Sequence, residues 1–60
     1  MGKPFLEWLK GEDGQFYLHL KAVNGKILLA SEAYTRAWSV RRAAKSVSRR
    51  FGGLEIRKGP

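Results

Sequence analysis

The first half of the chain alternates between apolar and polar residues, which predicts β-strands with one buried face. Two alternating runs, Gln15 to Val23 and Lys26 to Ser31, meet at Asn24-Gly25. Asn and Gly tolerate positive φ better than other residues, so this dipeptide predicts a two-residue type I′ hairpin turn. The predicted register has three pairs: Leu18 with Ser31, Leu20 with Leu29, and Ala22 with Ile27.

This register divides the hairpin side chains between two faces of the sheet. The face predicted to be inward collects Phe16, Leu18, Leu20, Ala22, Ile27 and Leu29. The second sheet face is mixed and collects Tyr17, His19, Lys21, Val23, Lys26, Leu28, Ala30 and Glu32. This second face is too apolar to be freely solvated, so we expect a second copy of the chain to cover it.

The residues predicted to form that dimer interface are Tyr17, His19, Val23, Leu28 and Ala30. The alternative is that the second sheet face stacks single-stranded bases. One tyrosine among aliphatic residues is a poor platform for that purpose, which favours the dimer.

A further strand precedes the hairpin. Residues Phe5 to Lys10 have the aromatic and aliphatic bias of a strand, with Leu6 and Trp8 predicted to point inward. The segment Gly11 to Gly14 is polar and bracketed by glycine, which predicts a turn of about four residues. The first three strands are therefore predicted to form an antiparallel meander.

The pattern changes to a helical period after Tyr34. Thr35 is the predicted N-cap of a helix from Arg36 to Phe51, and Gly52-Gly53 is its predicted stop. Apolar residues at spacings of three and four form a stripe about 80° wide that is predicted to face the sheet. The stripe consists of Ala37, Val40, Ala44, Val47 and Phe51.

The last alternating run, Leu54 to Arg57, predicts one short edge strand with Leu54 and Ile56 inward. The element order is β-β-β-α-β, an α+β fold in a single domain over residues 1–60. A chain this short hides only about 60% of its unfolded surface, and this one has no cysteine for a disulfide. A homodimer is the expected remedy, formed either by docking or by exchange of the final strand.

The chain carries 12 Lys and Arg residues against 5 Asp and Glu, a formal net charge of +7. So strong a positive field favours an anionic partner, either nucleic acid or an acidic protein surface, although a basic balance also serves solubility alone. A membrane surface is disfavoured, because the apolar stripe has mostly small residues and faces the sheet. No apolar run spans a bilayer and no leader pattern is evident, so a cytoplasmic location is expected.

The helix face opposite the apolar stripe has an unusual composition. At about 100° per residue, four cations and one indole share it. They are Trp38, Arg41, Arg42, Lys45 and Arg49, and are called the basic helix face below. Guanidinium groups bind phosphate and an exposed aromatic ring stacks on a base, so this face is the predicted nucleic-acid site. Two plainer interpretations stay open: Trp38 packs under Arg41 and Arg42 as cation–π pairs, or it lies in a dimer interface.

Catalytic chemistry has little support in the sequence. His19 has no carboxylate or nucleophile at a suitable spacing, and the acidic residues are scattered over different elements. With one His and no Cys, no zinc site is expected, and no glycine-rich loop opens a helix to cradle phosphate. We therefore expect no enzyme activity, no metal and no cofactor.

Three segments carry a family resemblance: Leu18 to Ile27, Ser31 to Thr35, and Ser46-Val47. They resemble the Leu-Lys-Ala-x-Asn-Gly hairpin, the Ser-Glu-x-Tyr-Ser connector and the Ser-Val-Lys helix end of the YegP-like family, a domain of unknown function (DUF1508). The resemblance implies a three-stranded meander, a helix and a final strand, with tandem copies in some members and homodimers in single-copy members. It implies no known activity. The helix departs from the family pattern, whose middle is rich in Lys and Gln.

The leading hypothesis is a small non-enzymatic homodimer whose basic helix faces bind nucleic acid. A rival hypothesis gives the same face to an acidic protein, with the chain acting as an interaction or inhibitory module. A third holds that the chain is an accessory dimer whose charge is incidental.

Overall fold

The computed structural model describes residues 2–31 and 33–59, so the predicted place of Glu32 lies outside the described residues. The elements are β1 (Phe5–Lys10), β2 (Phe16–Lys21), β3 (Ile27–Ala30), α1 (Ala37–Arg50) and β4 (Glu55–Lys58). The four strands form one sheet in the order β3-β2-β1-β4. The meander β1-β2-β3 is antiparallel and β4 pairs with β1 in parallel, so the predicted α+β fold and its order are confirmed.

The turn between β2 and β3 is a three-residue loop, so the predicted type I′ turn is wrong. Gly25 has φ 88°, whereas no non-glycine residue in the described part of the chain has positive φ, as Asn24 would need. The Gly25 N–H donates to the Ala22 carbonyl at 2.8 Å, and the Asn24 side-chain oxygen accepts the Lys26 N–H at 3.0 Å. A type I turn followed by a left-handed glycine has this pattern and lengthens the loop by one residue.

The longer loop changes the register close to the turn and leaves it unchanged further away. Two predicted pairs are present: Leu18 with Ser31, and Leu20 with Leu29. Ile27, however, lies opposite Lys21 rather than Ala22, because the ladder shifts at a bulge next to Lys21. The inward direction predicted for Ile27 therefore loses its basis, and its side chain is half exposed.

The turn between β1 and β2 repeats the same design with Asp in place of Asn. Gly14 has φ 83° and donates its N–H to the Gly11 carbonyl at 3.0 Å, while the Asp13 carboxylate accepts the Gln15 N–H at 3.0 Å. Gly11 donates its own N–H to the Gln15 carbonyl at 2.7 Å and so belongs to the ladder. The loop spans residues 12–14 instead of the predicted four residues.

α1 begins one residue later than predicted, and Thr35 is not its N-cap. Tyr34 still pairs with Phe16 through two backbone hydrogen bonds of 2.7 and 2.8 Å, which keeps the connector on the sheet edge. Arg36 is the N-cap, with extended backbone at φ −130° and ψ 143° and no side-chain capping bond. The tertiary pairing at Tyr34 therefore decides where the helix begins.

The predicted helix stop at Gly52-Gly53 is confirmed. Gly53 donates its N–H to the Ser48 carbonyl at 2.8 Å and Gly52 to the Arg49 carbonyl at 3.2 Å, with φ of 98° and 80°. This is the Schellman arrangement, in which a residue without Cβ takes the left-handed conformation and satisfies the last carbonyls of the helix.

The core lies between α1 and the inner face of β1 and β2. Its centre consists of Leu6, Leu18, Val40 and Ala44. Partly buried apolar residues surround it: Trp8, Phe16, Leu20, Tyr34, Ala43, Val47 and Leu54. The inward directions predicted for β1, β2 and most of the helical stripe are therefore confirmed.

β3 lies outside the cover of the helix, which packs against β1, β2 and β4. Leu29 is 63% exposed and Phe51 is 61% exposed, although both were predicted to be buried. The two residues line one open hollow of about 260 Å³ between the end of the helix and β3. They lie on the predicted side of the sheet, but the helix crosses too far from β3 to enclose them.

Two apolar residues lie at the β4 edge of the sheet. Ile56 is opposite Leu6 on the inner face, as predicted, but is 36% exposed because no strand follows β4 in this sheet. Phe5 is only 8% exposed, which sequence reasoning did not predict. The Arg57 guanidinium covers its ring at 4.0 Å from the centroid, so Phe5 is buried on the second sheet face.

Candidate functional site

The basic helix face is open to solvent along α1. Because Val40 and Ala44 are fully covered by the sheet, side chains on the opposite side of the helix point outward. Four of the five residues predicted for this face line one open hollow of about 440 Å³: Trp38, Arg41, Arg42 and Lys45. The fifth, Arg49, is also exposed but does not line that hollow.

No carboxylate neutralises these cations within the described part of the chain. α1 itself contains no Asp or Glu. The described ion pairs join Lys21 to Glu7 and Arg57 to Glu55, both away from the helix. The positive potential of the basic helix face is therefore available to an external anion.

Trp38 is 55% exposed, which is unusual for so large an apolar side chain. Among the described residues, no cation–π contact involves it. Arg41 lies instead over the Trp8 ring, with its Cζ 6.0 Å from the centroid. Cation–π pairs of Trp38 with Arg41 and Arg42 are therefore not seen among the described residues, and the exposed indole is open to a stacking partner.

A second aromatic group lies beside the basic helix face, and sequence reasoning missed it. Trp8 lies between Arg41 and Lys58, whose charged groups are 6.0 and 5.7 Å from its ring centroid. Trp8 and Lys58 come together because β1 and β4 pair in parallel with these two residues opposite each other. Alternation along the chain does not give the position or direction of β4, so no sequence signal could place Lys58 here.

The second sheet face holds the residues predicted for a dimer interface. Tyr17 and His19 are half-buried on β2, and Ala30 lies opposite His19 on β3. Leu28 is half exposed on β3, whereas Val23 is exposed in the turn that precedes it. The structure therefore brings His19 and Ala30 together and leaves Val23 apart from them.

Lys21 on the second sheet face and Arg57 on β4 each have a carboxylate partner. The Lys21 Nζ is 2.6 Å from Glu7 Oε1, and the Arg57 Nε is 2.6 Å from Glu55 Oε2. The hydrogen bonds from Arg57 lower the pKa of the Glu55 carboxyl and raise the pKa of the Arg57 guanidinium. These two cations are therefore neutralised within the chain, in contrast to the cations of the basic helix face.

A further polar contact lies between the first turn and β2. The Tyr17 hydroxyl donates to the Asp13 carboxylate, which also accepts the Gln15 N–H. These two bonds, the Tyr17 bond first, lower the pKa of Asp13, and the same contact raises the pKa of Tyr17. The contact therefore ties the first turn to a residue predicted for the dimer interface.

Two observations concern the described residues alone. No group of three His, Asp or Glu side chains lies close enough together to hold a metal ion. α1 is neither long enough nor apolar enough to cross a membrane.

Residues 12–56 match a family described as "Domain of unknown function (DUF1508)". The chain belongs to this family. The matched segment of this DUF1508 chain runs from the first turn into β4 and includes every residue of the basic helix face. The family description assigns no activity, ligand or partner.

A relative of this DUF1508 chain is a UPF0339 protein of Pseudomonas aeruginosa. The two are 41% identical over 51 residues, which cover 80% of this chain and 46% of the relative. The chain therefore spans about half the length of the curated relative it matches. No solved structure matches the chain.

Proposed function

We propose that this chain is a non-enzymatic, cytoplasmic, homodimeric binding protein whose basic helix face binds nucleic acid. One observation carries the proposal. Arg41, Arg42 and Lys45 surround an exposed Trp38 in one hollow, and no carboxylate partner neutralises them within the described residues. Arginine binds phosphate oxygens in a bidentate way, and an exposed indole adds base stacking.

The same face also fits the rival partner, an acidic protein surface. Trp38 favours nucleic acid, because every base offers a π-face for stacking whereas a carboxylate-rich surface gains little from an indole. Capture of partners from a lysate treated with nuclease separates the two proposals. Protein partners that survive the treatment and depend on Arg42 would favour the acidic protein.

The homodimer is proposed to form where β3 is uncovered. All four residues of β3 are exposed, and an apolar edge strand without cover is a surface that natural proteins normally protect. Two of the predicted interface residues, Leu28 and Ala30, lie on this strand. A second copy of the chain docked against β3 would cover these side chains.

Size-exclusion chromatography with light scattering tests the dimer. We expect twice the 6.8 kDa mass of one chain for the unmodified protein. Leu28→Lys places a charge on the proposed interface and is expected to give a monomer. Glu12→Lys, in the exposed turn between β1 and β2, is the matched control, since it also introduces a lysine, and it should leave the dimer intact. A strict monomer without any substitution would contradict the dimer proposal.

Fluorescence anisotropy with labelled oligonucleotides at low salt tests the nucleic-acid proposal. Replacing Arg42 and Lys45 by Gln is expected to weaken binding about tenfold, since hydrogen bonds to charged groups contribute about 1.5–3 kcal/mol each before losses to solvent exposure. The matched control replaces Lys3 and Lys26 by Gln, which removes the same charge from residues outside the basic helix face. Equal losses in both variants, or no binding by the unmodified chain, would overturn the proposal.

A further inference from the structure

A hollow of about 300 Å³ lies at the end of the molecule where α1 begins. It is lined by Trp8, Leu9, Lys10, Phe16, Ala37, Lys58 and Gly59. Pockets for small ligands run from about 300 to 1,000 Å³, so this one has room for a single planar ring system and little else.

Three strands build the hollow together. The antiparallel pairing of β1 and β2 places Lys10 opposite Phe16, and the parallel pairing of β1 and β4 places Lys58 opposite Trp8. The Gly59 N–H donates to the Trp8 carbonyl at 2.7 Å, which holds the residue after β4 against β1. The two rings and the two lysines are thus fixed by backbone hydrogen bonds of the sheet.

The chemistry of the lining selects a planar ligand with negative charge nearby. The Trp8 and Phe16 rings lie 6.3 Å apart at an interplanar angle of 51°, so they present a bent aromatic wall. The Lys10 Nζ is 5.9 Å from the Phe16 centroid, and the Lys58 Nζ is 5.7 Å from the Trp8 centroid. No carboxylate belongs to the lining, so neither amine is neutralised there.

Arg41 connects this hollow to the basic helix face. Its guanidinium lies over Trp8, and the same side chain lines the hollow around Trp38. Two aromatic rings therefore flank one arginine, with Lys45 and Lys58 beyond them. A flexible polyanion that follows these cations would present its rings to Trp38 and to Trp8 in turn.

We infer that the Trp8–Phe16 hollow takes one unpaired base, so that the ligand of the basic helix face is single-stranded rather than duplex nucleic acid. This inference rests on the proposed function. Bases in a duplex are stacked and paired, so a duplex base could contact the two rings of this hollow only if it were flipped out. In a single strand, the backbone places one phosphate on the 5′ side and one on the 3′ side of each base. This suits a ring site that is lined by two lysines.

Tryptophan fluorescence gives a direct test, because the chain has only two tryptophans. Trp8 packs against the core, so the test leaves it in place and replaces the exposed Trp38 by Phe. This replacement makes Trp8 the only indole, and the anisotropy of the labelled oligonucleotides is measured with the unmodified chain as well, so that any binding lost with Trp38 is seen separately. The probes are a single-stranded DNA oligonucleotide, the matching duplex, an abasic strand of the same length, and a free mononucleotide.

The intact single strand is expected to quench Trp8 emission and to bind about tenfold more tightly than the abasic strand, because base stacking contributes about 1–3 kcal/mol per base. The duplex is expected to bind through phosphate contacts and to leave Trp8 emission unchanged. Quenching by the mononucleotide at millimolar concentration would support the ring site itself, because a free nucleotide carries the same base without a strand.

The inference and the proposed function fail in different ways. If no labelled oligonucleotide binds the unmodified chain at low salt by anisotropy, the proposed function is wrong. If intact and abasic strands bind equally well and Trp8 emission stays constant, nucleic-acid binding stands and the base site in this hollow is overturned.

Discussion

The basic helix face and the second sheet face both carry cationic side chains, but the two faces differ in whether those cations are paired with carboxylates. On the sheet face, Lys21 is paired with Glu7 and Arg57 with Glu55. On the helix face, Arg41 and its neighbours have no carboxylate partner within the described residues. Four cations without a described carboxylate partner therefore share one face of the helix, which a charge count alone would not reveal.

The largest effect is expected on folding stability, from Val40, whose burial against the sheet determines which face of α1 is exposed to solvent. Val40 is completely buried, so Val40→Ala removes two methyl groups from the core and should destabilise folding by about 2 kcal/mol. Val23→Ala is the matched control, because Val23 is exposed in a turn and should cost at most about 0.5 kcal/mol. Urea denaturation measures both variants. Equal effects would mean that Val40 does not face the sheet.

An intermediate effect is expected from removing the carboxylates that balance the second sheet face. Replacing Glu7 and Glu55 by Gln leaves Lys21 and Arg57 without partners. Two newly available cations should raise the affinity for single-stranded DNA by about threefold at low salt, because nonspecific binding follows the number of phosphates that the protein can neutralise.

The control for this comparison is Glu12→Gln, measured in the same anisotropy titration. Glu12 is exposed in the first turn, outside both described ion pairs. If Glu12→Gln raised the affinity for single-stranded DNA by as much per carboxylate removed, total charge would determine binding and the distribution of charge would not.

The smallest effect is expected on the pKa of Asp13, whose carboxylate accepts a hydrogen bond from Tyr17. The Tyr17 hydroxyl is the main cause that lowers the pKa of the Asp13 carboxyl, so Tyr17→Phe should move that pKa back up toward its ordinary value. An NMR titration of the Asp13 side chain measures the change. An unchanged Asp13 pKa in the Tyr17→Phe variant would contradict the assigned cause.

The same contact predicts a pH dependence whose sign is fixed by both groups. The folded-state pKa of Asp13 is lowered, so its stabilising contribution is present above the unfolded pKa and lost as pH falls through the folded value. The folded-state pKa of Tyr17 is raised, so its contribution is present below the unfolded pKa and lost as pH rises through the folded value. In the Tyr17→Phe variant the Tyr17 contribution should disappear, and the Asp13 contribution should shrink to the part that comes from the Gln15 N–H.

The sequence predicted the elements that rest on local patterns. The strand alternation, the pair Leu20 with Leu29, and the glycine stop at Gly52-Gly53 are all present. The turn type was wrong because Asn-Gly suits both a type I′ turn and a type I turn with a following left-handed glycine. The two differ in φ at Asn24, which the residue types do not decide.

Other errors come from tertiary structure. Thr35 is not the N-cap of α1, because Tyr34 pairs with Phe16 and holds the connector on the sheet. Phe51 lies on the predicted stripe but overhangs β3, since a helical pattern gives a face and not a crossing position. The candidate site shows the same limit of sequence-based prediction. Spacing along one helix predicted the basic helix face. The Trp8–Phe16 hollow depends on the parallel pairing of β1 with β4, which is a tertiary feature.

The salt dependence of binding tests the central claim most directly, because it counts the phosphates that the basic helix face neutralises. About four contacts with single-stranded DNA predict a slope near −3 when the logarithm of the binding constant is plotted against the logarithm of salt concentration. Replacing Arg41, Arg42 and Arg49 by Gln should bring that slope to about −0.7, the value for the one contact that Lys45 still makes. An unchanged slope in this variant would contradict the account, because the released counterions would then come from another surface.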